Sequence, residues 1–375
     1  MASNEFQKRD VRQEVTQLII EKLERGVMPW RRGWSSVDKT DMALIPRNGE
    51  SGRNYRGGNR LHLMVRMLEN GWEDPRFFTF NQLQKLGAYP EKGSRGSAVE
   101  YWDEMPFWKR RDCSVKIGDE VVRVHGVERV GTQTTAIVGP DMREVYASHL
   151  RVVGPGGKEY TWFQAENNLN LVFSRHAVVF NVHQCRGLDK YLAENPIDLP
   201  KRTPIELDNT LDAIVVGMKK TGLAVKFEPQ DRAYYTPFAD VVVLPLREQF
   251  DSDVAFRSTL LHELAHATGH EKRLNRETLT KSGGFGSKDY AREELVAELA
   301  SAFMSAETGI ERDDDQHAAY IQSWLEVLKG KDGKHVIFEA ARDAEKATNY
   351  LLDRADLMRE IDRNREKQST EVEIA

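Results

Sequence analysis

The feature that most constrains the fold is the run His262-Glu263-Leu264-Ala265-His266, which lies within a predicted helix at residues 254–268. Two histidines four residues apart lie on one helix face, about a turn apart, and can hold one tetrahedral Zn²⁺. Glu263 can reach the open coordination position and act as a catalytic general base. The opposite side of the helix must then be buried in a core. Because so short a motif also arises by chance, its sequence context decides the interpretation.

A second predicted helix, at residues 289–308, supplies that context. Glu294 and Glu298 are four residues apart there, within an apolar stripe. Because inward carboxylates need a partner, we predict that Glu294 is the third metal ligand and that Glu298 orients a ligand histidine. The alternative is a solvated helix face. His270 is the competing third ligand, but it follows a helix stop at Gly269, which favours Glu294.

Two adjacent tyrosines, Tyr234 and Tyr235, precede a predicted strand at residues 241–244 that leads into the metal helix. In zinc peptidases such a strand often holds the substrate backbone, and a phenol can stabilise the oxyanion. We therefore include Tyr235 with Glu263 among the catalytic candidates. Packing against the sheet is the alternative for either tyrosine. The predicted cofactor is about one Zn²⁺ per chain.

A local basic patch stands out in a chain whose net charge is -5. Residues 47–66 contain five arginines and one acid, Glu50. The aromatic residues in and around this patch and the nearby Arg31 and Arg32 are Trp30, Trp34, Tyr55 and Trp72. Cations that follow phosphates and aromatics that stack on unpaired bases are typical of single-strand binding. An arginine-rich solvated loop with buried tryptophans fits the composition about as well. The predicted DNA-binding residues are Arg31, Arg32, Trp34, Arg47, Arg53, Tyr55, Arg56, Arg60, Lys92 and Arg95.

The length of 375 residues favours two domains, and the pattern of short helices and strands predicts an α+β fold. We expect a first domain at residues 1–187, with a β-rich insertion at 103–167. A proline-bearing linker at 188–204 and a second domain at 205–361 follow, and the charged residues 362–375 are predicted to be disordered. Helices are predicted at 11–25, 61–68, 79–86, 207–221, 318–328 and 337–352, besides the two above. Strands are predicted at 97–102, 178–182, 224–227 and 233–235, besides 241–244.

The composition excludes several classes of protein. No stretch approaches the roughly 18 apolar residues of a membrane span, and the polar start of the chain is unlike a secretory signal. Two cysteines, Cys113 and Cys185, are too few for a disulfide framework and fit a reducing compartment. We expect a cytoplasmic protein with no membrane partner.

Longer segments resemble a known family. GVMPWRRGW, PRNGESGRNYRGGNRLHL and VVFNVHQCRGL in the first half, and LLHELAHATGHEKRL and FGSKDYAREELVAELASAFM in the second, are similar to ArdC-like antirestriction proteins of plasmids and phages. The resemblance implies an N-terminal domain that binds single-stranded DNA, also seen in some plasmid primases. It further implies a C-terminal zincin-like metallopeptidase domain, with a small antiparallel sheet beside the active-site helices. In this family context His262 and His266 are ligands, Glu263 is the base and Glu294 is the natural third ligand.

Two functions compete at this point. The first is a peptidase brought to incoming DNA in a bacterial host cell, where it cuts or disables a host defence protein. The second is a non-enzymatic protein that coats single-stranded DNA and whose zinc site only holds the fold. A nuclease is disfavoured because phosphodiester hydrolysis usually uses carboxylate-rich Mg²⁺ or two-metal centres.

Overall fold

The computed structural model describes residues 10–30, 45–197, 203–281, 283, 286–312 and 320–374. Contacts along the chain define two compact units, Met1–Ala98 with Val178–Ala375, and Val99–Ala177. The predicted β-rich insertion, 103–167, lies inside the second unit. The predicted linker at 188–204 does not separate two compact units, and the domain boundaries placed around it stay predictions.

The fold class is α+β, as predicted. The described helices are α1 (Val11–Glu24), α2 (Gly57–Asn70), α3 (Phe80–Lys85), α4 (Trp162–Leu169), α5 (Asp189–Glu194), α6 (Pro204–Lys219), α7 (Asp253–Ala267), α8 (Glu277–Thr280), α9 (Lys288–Thr308), α10 (Ile321–Leu328) and α11 (Gly333–Ile374). The described strands are β1 (Arg47–Asn48), β2 (Arg76–Thr79), β3 (Tyr89–Pro90), β4 (Ser97–Met105), β5 (Ser114–Ile117), β6 (Glu120–Val122), β7 (Val124–Val130), β8 (Gln133–Val138), β9 (Arg143–Tyr146), β10 (Arg151–Val153), β11 (Glu159–Thr161), β12 (Leu171–Asn181), β13 (Cys185–Arg186), β14 (Ala224–Phe227), β15 (Tyr234–Thr236) and β16 (Val241–Leu244).

Local signals explain why the helices of the first unit begin and end where they do. The side chain of Asp10 caps α1, and Thr79 forms a capping box with Gln82 at the start of α3. Helix α9 ends at Gly309, whose φ of 75° is the left-handed conformation that glycine adopts at little cost. Helices α7 and α9 match the predicted helices to within a residue at each end.

Helix α11 is much longer than the predicted helix at 337–352. The sequence between residues 334 and 374 contains no glycine or proline to end it and is rich in Glu, Lys and Arg, which favour helices. The structure extends α11 to Ile374, over the residues from 362 for which the sequence predicts disorder. Helix α11 packs on α6 and α9 and also on α1 and α2, so segments from both ends of the chain contact the same helix.

The N-terminal half of the first unit contains a four-stranded sheet and a separate pair of strands, and two strands of the sheet, β4 and β12, continue into the second unit. One sheet has the order β1-β2-β12-β4, with β1 parallel and β12 antiparallel to β2, and β3 pairs with β13. Register places Phe180 opposite Phe78. Phe78 belongs to a small core with Leu83, Ala88 and Val182.

The sheet beside α7 has the order β14-β16-β15. Strands β15 and β16 form an antiparallel hairpin, whereas β14 runs parallel to β16. The sheet is thus mixed, not wholly antiparallel as the resemblance implied, because β14 adds to the second strand of the hairpin. Its apolar residues pack with α6 and α7 in a core that includes Val242, Leu244, Leu260 and Leu264.

The second unit, residues 99–177, contains two small sheets, β11-β10-β5-β6 and β7-β8-β9. Residues from both sheets and from α4 share one core, including Val115, Ala136, Val152 and Trp162. The unit therefore buries its own apolar side chains. Within the described ranges of the whole chain, no helix combines the length and the apolarity needed to cross a membrane.

Candidate metal centre and nucleic-acid surface

Helix α7 presents the predicted motif to a cleft. Ser252 caps the helix by accepting a hydrogen bond from the Ala255 amide, and most of the helix is buried. His262, Glu263 and His266 line a cleft of about 380 Å³. The opposite side of α7 packs into the core of the first unit, as the motif requires.

The structure brings His262, His266 and Glu294 together. The Nε2 atoms of the two imidazoles are 3.1 Å apart, and the Glu294 carboxylate oxygens lie 3.5 Å from His262 Nε2 and 3.6 Å from His266 Nε2. All three side chains are buried. Among the residues that the structure describes, this is the one cluster of three or more His, Cys, Asp or Glu side chains with metal-ligand spacing.

These separations fit a divalent ion. Ligand atoms about 2.0–2.1 Å from a tetrahedral Zn²⁺ lie about 3.3 Å from one another, close to the three distances above. Burial acts to lower the pKa of His266, but the carboxylates of Glu294 and Glu293 raise it to about 10. Burial likewise opposes ionisation of Glu294, but the two imidazoles hold its pKa well below the usual range. The cluster thus stabilises positive charge, as a cation site must.

A glutamate that sequence reasoning missed holds one of these imidazoles. Glu293 Oε1 lies 3.2 Å from His266 Nδ1, so a proton on Nδ1 leaves Nε2 facing the cluster. Arg276 fixes Glu293 through hydrogen bonds of 3.1 Å and 2.5 Å, and Thr278 donates another of 2.6 Å. Burial acts to raise the pKa of Glu293, but Arg276 and His266 lower it to about 2. Glu293 is therefore an ionised partner of His266.

The sequence predicts that Gly269 ends the metal helix, but the structure gives this glycine a different role, which is to make room for a neighbouring side chain. A Cβ atom on this residue would lie 2.7 Å from Nη2 of Arg276, which is bound between α7 and Glu293. Glycine therefore leaves the space that the Arg276 guanidinium occupies. The sequence signal for this arrangement is weak, because Arg276 is ten residues beyond His266.

The role predicted for Glu298 is corrected. Glu298 Oε1 accepts a hydrogen bond from Trp30 Nε1 at 3.0 Å and is ion-paired with Arg312. The histidine-orienting position that we assigned to Glu298 is occupied by Glu293, five residues earlier on α9. Trp30 is itself buried and contacts the Trp324 ring. Glu298 thus ties the segment before α2 to the helix that carries Glu294.

His270, the competing ligand, lies elsewhere. Its Nδ1 atom is 3.9 Å from an Asp240 carboxylate oxygen and accepts a hydrogen bond from the Lys272 amide at 3.2 Å. His270 is not part of the ligand cluster. The helix stop before it explains why its imidazole does not continue the face of His262 and His266.

Glu263 is buried at the cleft next to the cluster. Burial raises the pKa of its carboxyl above the usual range, while the two neighbouring imidazoles oppose that shift. A hydrogen bond from the Tyr235 backbone also reaches Glu263. A carboxylate with a raised pKa is a stronger base than one in water, which suits proton transfer.

The Tyr235 hydroxyl is engaged away from the ligand cluster. It donates to Asp240 Oδ1 at 3.0 Å and accepts from Arg273 at 3.2 Å. Tyr235 therefore lines the cleft, but its hydroxyl is held by Asp240 and Arg273 rather than presented to a substrate.

Two other tyrosines present phenols to the cleft, Tyr290 and Tyr320, whose hydroxyl oxygens are 3.5 Å apart. Burial first and the nearby Glu294 second raise the pKa of Tyr320, so its phenol stays protonated. Tyr290 lies one turn before Glu294 on α9, a spacing that could have identified it from the sequence. Tyr320, 26 residues beyond Glu294, had no such signal.

Part of the predicted DNA-binding set lies on the surface of the first unit. Arg53, Arg56, Lys92 and Arg95 are exposed. Arg47 and Tyr55 are half-buried, and the Tyr55 ring packs edge-on against Phe77. Arg31, Arg32 and Trp34 lie outside the described residues. Exposed aromatic side chains nearby in the sequence, Phe80 and Tyr89, were not predicted.

Arg60 is the member of the set that the structure contradicts. Its side chain is 2% exposed, and its guanidinium lies 2.9 Å from Glu307 and 3.4 Å from Glu345. It also donates to the Phe303 carbonyl at 3.1 Å and lies over the Phe303 ring. Arg60 on α2 therefore links this helix to α9 and α11, since its partners lie more than 240 residues further along the chain.

Comparisons with known families agree with this architecture. Residues 9–134 match the N-terminal domain of anti-restriction factor ArdC, and residues 212–343 match a zincin-like metallopeptidase domain. The chain is also 30% identical to an uncharacterized protein, y4eC of Sinorhizobium fredii, over 91% of each chain. It belongs to the ArdC-like antirestriction family. The resemblance seen in the sequence is thereby confirmed.

Solved structures and longer relatives extend the comparison. The chain is similar to the antirestriction ArdC protein from plasmid R388, with 29% identity and a TM-score of 0.62 for the metal-free structure, over 93% of this chain and 98% of that one. The Mn(II)-bound structure of that protein gives a TM-score of 0.61 over 92% and 98%. DNA primase TraC of Escherichia coli is 32% identical over 92% of this chain. The chain spans only 20% of that primase and 27% of a second TraC relative.

Proposed function

We propose that this family member is a metal-dependent peptidase of the HExxH type that acts at single-stranded DNA to protect that DNA from host restriction. The observation that carries the proposal is the triangle of His262, His266 and Glu294 with Glu263 beside it at an accessible cleft. A purely structural metal site is usually closed by four protein ligands, whereas three ligands at a cleft leave a position open. Zn²⁺ is the ion we propose, and the Mn(II)-bound ArdC structure supports a divalent ion more generally.

The cleft also has a place for a peptide backbone. Strand β15 lies at the edge of its sheet and pairs with β16 on one side, and Tyr234 and Tyr235 on β15 line the cleft. A substrate strand can add to such an edge through backbone hydrogen bonds. This edge replaces β16, which lies in the centre of the sheet, as the predicted substrate-binding strand.

The chemical roles follow from position and charge. A bound divalent ion would polarise the scissile carbonyl and acidify water. In this proposal Glu263 takes a proton from water in the cleft and returns it to the leaving amine. In this proposal the protonated phenol of Tyr320, which lines the cleft, donates a hydrogen bond to the oxyanion, and Tyr290 positions Glu294 through a hydrogen bond.

The DNA-binding part of the proposal rests on the exposed cations of the first unit and on the ArdC match. Arg53, Arg56, Lys92 and Arg95 supply phosphate contacts, and the exposed rings of Phe80 and Tyr89 offer faces on which unpaired bases can stack. We place the protein in the cytoplasm of a bacterial host, where incoming DNA meets restriction enzymes. The proteolytic substrate is then a host defence protein.

Glu263→Gln tests the enzymatic proposal because it keeps the shape of the side chain and removes the base. The variant is expected to keep its metal and its affinity for single strands but to lose antirestriction and all new protein N-termini that the wild type generates in host cells. General-base losses are typically about 10²- to 10⁴-fold in rate. Tyr320→Phe should lower cleavage of any substrate so identified by roughly 10²-fold, with Tyr235→Phe as the matched control.

Full antirestriction by Glu263→Gln, with no wild-type-specific N-termini, would overturn the peptidase proposal. That outcome would favour a non-enzymatic protein that coats single-stranded DNA and uses its metal to hold the fold. Loss of metal in Glu263→Gln would instead contradict the separation of base and ligands described above.

A further inference from the structure

The second unit contains a basic pocket that is separate from the metal cleft and from the exposed cations of the first unit. The pocket has a volume of about 540 Å³ and lies between the segment before β5 and the start of β7. Its lining includes Trp108, Lys109, Arg111, Arg123 and His125. The four basic side chains are exposed, and Trp108 is half-buried.

Three of these cations have no acidic partner among the described residues, and Arg123 Nη2 donates a hydrogen bond of 3.4 Å to the Arg111 carbonyl in the same pocket. The unit contains ten Lys and Arg residues, and five of them pair with carboxylates, namely Arg110, Lys116, Arg129, Arg143 and Arg175. Lys109, Arg111 and Arg123 have no carboxylate within ion-pair distance in the part of the chain that the structure describes, and all three line the pocket. Like charges gathered without acidic partners repel one another unless a polyanion binds them.

The aromatic wall of the pocket is packed against other rings. Trp108 stacks on Trp162 with ring centroids 5.8 Å apart and planes 20° apart, and it meets Phe107 edge-on at 5.3 Å. Trp162 is held in turn by a hydrogen bond of 2.9 Å from its Nε1 to Glu166. An indole packed in this way offers a flat surface at a low cost in side-chain ordering.

We infer that this pocket binds a nucleotide unit of single-stranded nucleic acid, with phosphates on Lys109, Arg111 and Arg123 and the base against Trp108. Guanidinium groups suit phosphate oxygens, and an indole face stacks on a base that is not paired. An acidic peptide would use the cations but not the aromatic wall. The inference extends the proposed single-strand binding to a second unit and needs nothing from the metal cleft.

The test uses the full-length protein and an oligothymidylate of about ten nucleotides carrying 5-iodouracil, a length that covers one typical binding site. Photo-cross-linked peptides are mapped by mass spectrometry, with an adduct expected on the peptide that contains Trp108. Arg111→Ala with Arg123→Ala should weaken formation of this adduct roughly 25-fold at about 0.1 M salt, since each lost phosphate contact costs about fivefold.

Arg151→Ala with Lys158→Ala is the matched control. It removes the same charge from exposed positions of the same unit, and neither residue lines the pocket. It should leave the Trp108 adduct unchanged, and thermal unfolding checks that both double variants are folded. Thymidine monophosphate and an unlabelled oligonucleotide are then compared as competitors for the Trp108 adduct. If the two compete equally well, the ligand of the pocket is a free nucleotide and not a strand.

The outcomes separate this inference from the proposed function. Adducts confined to residues outside 99–177 would leave single-strand binding intact and overturn the pocket. Competition by polyglutamate equal to that by oligothymidylate would overturn a nucleotide ligand in favour of an acidic peptide. No affinity for single strands anywhere in the wild-type protein would remove both the inference and the proposed DNA binding.

Discussion

The metal cleft and the basic pocket of residues 99–177 use charge in opposite ways. In the cleft, Glu293 and Arg276 are buried and hydrogen-bonded to each other, and the His266 imidazole is held between two carboxylates. In the pocket, Lys109, Arg111 and Arg123 are exposed and lack acidic partners among the described residues. Both regions are rich in charge, but their surroundings differ.

Substitutions of buried, paired charges and of exposed, unpaired cations should therefore have different effects. Removing one member of a buried charge pair leaves the other uncompensated, so stability or metal binding should suffer. Removing an exposed cation without a partner should change binding to a polyanion and leave the fold intact. The same contrast occurs within one segment, because Arg56 is exposed and Arg60 is buried in ion pairs.

The largest expected effect is loss of the metal. His266→Ala and Glu294→Ala each remove a ligand from a three-ligand site, so the metal content should fall from about one ion per chain to background. His270→Ala is the matched control and should keep its metal, because His270 lies at Asp240. Metal analysis of the purified variants makes the comparison. Loss in His270→Ala with retention in Glu294→Ala would show that the ligand set is wrong.

The next effect distinguishes Arg60 from Arg56. Arg60→Ala leaves the carboxylates of Glu307 and Glu345 without their arginine partner. It should therefore lower the free energy of unfolding by about 3–5 kcal/mol. Arg56→Ala should change it by no more than about 0.5 kcal/mol, since surface substitutions usually do no more. Urea denaturation measures both. Equal losses in the two variants would break the contrast between buried and exposed arginines.

Sequence reasoning predicted what depends on short spacing. The motif on α7 and the carboxylate on α9 were found because ligands four residues apart, or on one inward stripe, leave a local pattern. It assigned Glu298 instead of Glu293 because both lie on buried faces of α9, and only the position of Arg276 and His266 distinguishes them. It misjudged Arg60 because its acidic partners are 247 and 285 residues away, beyond any local signal.

Glu293 should now show the effect that the sequence assigned to Glu298. Glu293→Gln keeps the shape of the side chain but weakens the interaction with His266 Nδ1, so metal affinity should fall about 10- to 100-fold. Glu298→Gln, on the same helix, should leave the metal affinity unchanged, because Glu298 binds Trp30 and Arg312. Competition with a metal chelator measures both affinities. An effect in Glu298→Gln alone would restore the original assignment.

The smallest expected effects concern the exposed cations of the first unit. Arg53→Ala and Arg56→Ala should each weaken single-strand binding by roughly fivefold at about 0.1 M salt and flatten the log-log salt dependence by about 0.7, because each removes one phosphate contact. Lys281→Ala is the control, since Lys281 is equally an exposed cation but pairs with Glu277.

The measurement needs the whole chain, because a fragment of residues 1–187 would lose Glu298, Glu307 and Glu345, the partners of Trp30 and Arg60. Unchanged affinity and slope in both arginine variants would mean that Arg53 and Arg56 only keep the surface solvated. Strand binding would then depend on Lys92 and Arg95 or on the basic pocket of residues 99–177.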